Sequence, residues 1–190
     1  MKKFLNLLGQ LIFLNLLFII SSIPVITFGA GISSCYEVIK MWDKDIEINI
    51  ITFYFQKFKR IVKKVLVLNI IMLILGILFI IIFIFLWNQE IILAKIILFP
   101  FLSSFLIILM TMSYYYYYII DKIEEKNLDI IKYSFFKSLI NIKKSFIILL
   151  YPILIIILFI LYNIYIWEFI IVIGFGAGFY INFKILRSIY

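Results

Sequence analysis

Histidine is absent from the 190 residues and Cys35 is the only cysteine, so the pairs that usually make a nucleophile and its base are missing. One soft ligand cannot hold zinc or an iron–sulfur cluster, so neither a metal nor any other cofactor is expected, and no disulfide can form within the chain. The carboxylates do not face one another as an acid and base would. They gather in two polar turns, Asp43 to Glu47 and Asp121 to Asp129, beside lysines whose charge they offset. Glu37 is the lone acid before Trp42 and stands three residues ahead of Lys40, which reads as an ion pair at a membrane boundary. Catalysis is not expected.

Three other groupings invite a chemical reading. Pro24, Gly29 and Gly31 lie in an apolar stretch, where they could break a helix as in transporter sites, or simply end one and let two helices cross closely. Five tyrosines run from Tyr114 to Tyr118 and cover every face of a helix, which suits an aromatic belt at the membrane surface. Gly174, Gly176 and Gly178 lack the following Lys and Ser or Thr of a phosphate loop, and suit helix packing.

The elements that would position these residues follow from hydropathy. Two thirds of the chain is apolar and the mean hydropathy is +1.21, outside the range of soluble domains. A bilayer core takes about 20 apolar residues in a helix, and four segments satisfy it: Leu11 to Phe28, Val65 to Leu86, Ile96 to Tyr116 and Phe146 to Ile166. A fifth, Phe169 to Ile185, is shorter and is bounded by Trp167, Lys184 and Arg187. The expectation is an all-α polytopic membrane bundle of one domain, residues 1–190, with about five transmembrane helices. A sixth arises if the first stretch turns at Ser22 and a helix starting at Pro24 returns to Met41.

Basic residues set the orientation. Lys40, Lys44, Lys57, Lys59, Arg60, Lys63 and Lys64 form one group, and Lys122, Lys126, Lys132, Lys137, Lys143 and Lys144 another, whereas the loops at 88–95 and 163–168 hold Lys95 alone. The rich segments are expected on the cytoplasmic side with the C-terminus, in a multi-pass protein of the cell membrane. With five spans the N-terminus is then outside, against the weak contrary signal of Lys2 and Lys3.

At an offset of 80 residues the stretch from Asn49 to Lys57 lies over Asp129 to Lys137, Lys63-Lys64 over Lys143-Lys144, and Trp87 over Trp167. The reading is a parallel internal repeat, unit one about 11–87 and unit two about 91–167, followed by a final helix at 169–186. Each unit carries an amphipathic helix. Ile51, Phe55, Phe58, Val62 and Val65 form an apolar stripe in the first, and Ile131, Phe135, Leu139, Ile142 and Phe146 in the second, at helical spacing. Lys57, Lys59, Arg60, Lys63, Lys64, Lys137, Lys143 and Lys144 then form a face for anionic lipid headgroups, or for a protein partner. Nucleic acid is not expected, because these helices abut the spans.

The run from Asn15 to Ala30, with Ser21-Ser22-Ile23-Pro24-Val25-Ile26-Thr27-Phe28-Gly29-Ala30 at its end, and Tyr36 to Lys40 after it, resembles the N-terminal signature of the YesL-like bacterial membrane protein family, domain of unknown function 624. Phe53 to Lys64 resembles that family's next block. The resemblance implies an accessory role beside carbohydrate ABC transporters, with no catalytic or binding residues to carry over. The expected function is a non-catalytic accessory or regulatory membrane component whose partner is an ABC transporter or another membrane protein. A small transporter or channel working as a homo-oligomer is the alternative.

Overall fold

The computed structural model describes residues 2–89, 92–161 and 174–189. Every element among them is helical: α1 (Lys2–Ser21), a 3-10 turn (Val25–Thr27), α2 (Phe28–Trp42), α3 (Ile50–Trp87), α4 (Ile92–Tyr118), α5 (Asn127–Ile140), α6 (Ile142–Leu161) and α7 (Phe175–Arg187). The loop at 163–168 with Trp167, the end of the fourth expected span and the start of the fifth lie outside the described residues. Among the described residues two helices are long and apolar enough to cross a membrane, Ile50–Trp87 and Lys95–Tyr118. At about 1.5 Å per residue, the 38 residues of α3 reach well beyond a ~30 Å hydrocarbon core. Its first turns therefore carry the basic segment and its later ones the apolar wall.

The expected first span is not one continuous helix. Pro24 has no N–H, and it disfavours a helical residue before it, so α1 stops at Ser21 and the chain restarts at Phe28. The polar groups freed by this break are matched locally. Thr27 places its hydroxyl 2.6 Å from the Ser21 carbonyl and 2.7 Å from that of Pro24, and the Asn69 amide donates to the Ile26 carbonyl at 2.8 Å. Beyond the break the chain keeps its direction. Asn15 accepts from the Gly176 N–H, Phe18 packs on Phe175 and Phe179, Tyr36 on Phe179 and Phe183, and Asp43 pairs with Lys184 and Arg187. These contacts advance along α7 in chain order, so α1 and α2 run parallel to it one after the other. Phe18 also touches Phe28, which sets the start of α2 beside the end of α1.

The tyrosine run corrects an expectation. All five rings are buried, because each meets a different neighbour. Tyr114 reaches Ser145 of α6, Tyr115 donates to Asn127 at the start of α5, and Tyr116 donates to Asn69 of α3. Tyr117 packs on Tyr36 and Phe183, and Tyr118 on Tyr133. The end of α4 is thus a hub inside the bundle, with α2, α3, α5, α6 and α7 around it, and not a belt facing lipid.

The two basic helices differ. The first runs into its span without interruption, capped by Asn49, which accepts from the Thr52 N–H. The second breaks at Asn141 (φ −106°, ψ 41°), where the Ser145 hydroxyl stands 2.8 Å from the Ser138 carbonyl that the break exposes. The faces packed inside the bundle differ from the apolar stripes, apart from Val65. Tyr54, Ile61, Val65 and Asn69 are the buried residues of α3, and Ile130, Ser134 and Ser138 those of α5, while Phe135 and Phe136 are exposed. Small polar residues let α5 approach α4 closely, and its rings face outward.

Candidate functional site

The charged residues converge at one end of the bundle, where the ends of α2, α4 and α7 meet the starts of α3, α5 and α6. Glu37, 6% exposed, receives Lys57 at 3.1 Å, so its partner is not the neighbouring Lys40. Position 40 points instead to Asp121, because a helical step of three carries its side chain past Glu37 toward the turn after α4. Asp43, with a side chain 8% exposed, is clasped by Lys184 and Arg187. Lys64 donates to the carbonyls of Ile123 and Glu125, and Asn127 donates to the carbonyl of Lys64 at 3.1 Å. The Glu37 and Asp43 carboxylates are withdrawn from water, so loss of their cations would leave an uncompensated buried charge, whereas Asp121 is about half exposed.

This network divides the eight basic residues expected to share one face. Lys57, Lys64 and Lys144 are turned to protein partners, the last donating to the Ser188 carbonyl and hydroxyl at 3.3 and 3.0 Å. Lys137 lies over the Tyr133 ring, 5.6 Å from its centroid. Lys59, Arg60, Lys63 and Lys143 are exposed, and Lys132 joins them. The outward set leaves its charges exposed, and the inward set braces the helices.

Pro24 lies exposed at the break, whereas Gly29 and Gly31 are buried within α2. A β-carbon at Gly29 would overlap the Tyr116 ring and stand 2.7 Å from the Asn69 Oδ1; one at Gly31 would meet Ser22 and Phe18 at 3.0 and 3.1 Å. The two glycines are therefore where α2 crosses α4 and α1 most closely. Ser33 completes that crossing with its hydroxyl 2.9 Å from the Tyr116 carbonyl.

Sequence reasoning passed over Tyr54, Asn69 and Asn182, all buried. The Tyr54 hydroxyl lies 2.6 Å from that of Ser21. The available signal was a lone amide inside an apolar run, which seeks a partner within the protein. Among the described residues no three His, Cys, Asp or Glu side chains stand together as a metal site would need.

No curated protein and no solved structure matches the chain. The family described as Protein of unknown function, DUF624, matches over residues 11–88, the stretch that holds α1, the Pro24 break, α2 and α3 and the same segment whose Asn15-to-Lys64 motifs carry the family resemblance.

Proposed function

We propose that the chain is a multi-pass membrane protein acting as a non-catalytic accessory or regulatory component, with its cationic end in the cytoplasm as the surface that meets a partner. The observation that carries this reading is the division of the basic residues: one set is consumed in bracing the helices, and the other, Lys59, Arg60, Lys63, Lys132 and Lys143, is exposed. Side chains used for topology alone do not require a braced base beneath them. The parallel course of α1 and α2 along α7 supports a reading of five spans, with the break as a step within one crossing and the N-terminus opposite the charged end. The internal repeat is supported by like packing in its two halves, where α2 lies on the first part of α3 as the end of α4 lies on α5. Anionic lipid and a protein partner compete for the same patch. The link to sugar uptake rests on the family resemblance.

The test is photo-crosslinking from positions 59, 63 and 143 in native membranes, followed by pull-down, with sugar uptake measured in a deletion strain. A discrete protein adduct and altered uptake are expected. Adducts with lipid alone, together with unchanged uptake, refute the proposal.

A further inference from the structure

We propose that the bundle contains a binding site for an uncharged amphiphile, a long hydrocarbon chain ending in one hydroxyl. A cavity of about 450 Å³ lies between the Pro24 break, α3, α4, α6 and α7. It has roughly three times the volume of the ~150 Å³ apolar cavity that accepts one benzene, which makes room for roughly 15 to 20 carbons. Its wall is built from residues such as Phe28, Met72, Leu109, Met112 and Phe179, and among the described residues no charged side chain lines it. A charged ligand would lose its hydration there without compensation, so the occupant is neutral.

The polar side chains in the wall are mostly committed to holding helices. Asn69 binds Tyr116 and the Ile26 carbonyl, Ser113 returns its hydroxyl to Leu109, and Tyr151 donates to the Gly174 carbonyl. Asn182 is the exception. Pro152 has no N–H to give to the Ile148 carbonyl one turn earlier, and the Asn182 Nδ2 lies 3.5 Å from that carbonyl. The Asn182 Oδ1 is buried without a hydrogen-bond partner among the described residues. An unpaired acceptor at low dielectric is a standing cost that a ligand hydroxyl relieves. Entry from the bilayer is open, since Val25 at the break and Ile153 on α6 both line the cavity and are exposed on the outer surface.

The experiment uses the full chain in phosphatidylcholine vesicles with a diazirine-bearing hexadecanol, and maps the photo-adducts by mass spectrometry. Saturable labelling near Met72, Leu109 and Met112 is expected, competed by hexadecanol about fivefold better than by hexadecane, the factor for one hydrogen bond of ordinary net strength. Asn182→Leu should abolish that preference, and Leu109→Trp should abolish the labelling by filling the cavity. Adducts spread without saturation over the outward residues Ile80, Ile81 and Phe85, or equal competition by hexadecane in the wild-type protein, overturn the proposal. The wild-type competition decides the matter even where a variant fails to elute as a single species.

Discussion

Gly29→Ala is expected to destabilise the bundle by about 1–3 kcal/mol, although alanine is the better helix former. In the interior of α2 the substitution gains about 1 kcal/mol of helix propensity. Against this, the new methyl would overlap the Tyr116 ring and press on the Asn69 Oδ1, an overpacking that costs about 1–3 kcal/mol. Displacing the ring also strains two hydrogen bonds of 2.8 Å, Tyr116 to Asn69 and Asn69 to the Ile26 carbonyl, each about 0.6 kcal/mol inside a membrane protein. Gly76 in α3 is the control, since nothing lies within 4 Å of a β-carbon built there; Gly76→Ala should be neutral or stabilising. Unfolding in detergent, followed by tryptophan fluorescence, would read both. In a Tyr116→Leu background the cost of Gly29→Ala should shrink, because the ring it strikes is gone. Equal stability of Gly29→Ala and Gly76→Ala would refute the close crossing.

Asp43→Asn removes the shared partner of Lys184 and Arg187; with those two side chains about half exposed, a loss of about 1–2 kcal/mol is expected, seen as faster hydrogen exchange at 184–189. The Cys35 thiol is buried out of reach of solvent, so maleimide at pH 8 should modify it only after denaturation. Equal labelling before and after would contradict its burial. Replacing Lys59, Arg60 and Lys63 together by glutamine should reduce retained anionic lipid by mass spectrometry, at about 1 kcal/mol per charge, without moving the melting temperature. Lys64→Gln should do the reverse, lowering stability through its lost contacts with the Ile123 and Glu125 carbonyls.

Hydropathy made α3 and α4 legible because a long apolar run has few other fates, and charge counting found the basic segments. What periodicity could not supply was the inner face of each helix. In a bilayer an apolar stripe is as much at ease against lipid as against protein, so Phe135 and Phe136 point outward while Ser134 and Ser138 pack. The five tyrosines read as a surface belt because five surrounding helices cannot be inferred from one. Likewise Glu37 finds Lys57 and not Lys40, since the partner is chosen by the crossing of α2 and α3. At Pro24 the proline announced an interruption, but the direction of the chain beyond it depended on contacts with α7, far along the sequence.

Asp43 and its two cations also impose an order of events on assembly. The carboxylate is 141 positions away from Lys184, and Lys40 is 81 away from Asp121, so the early helices are synthesised long before their partners. Until α7 arrives, a nascent chain holds Asp43 without Lys184 and Arg187, and Gly176 has yet to donate its N–H to Asn15. The segment 11–88 is therefore an unfinished half of a clasp, left open until α7 closes it.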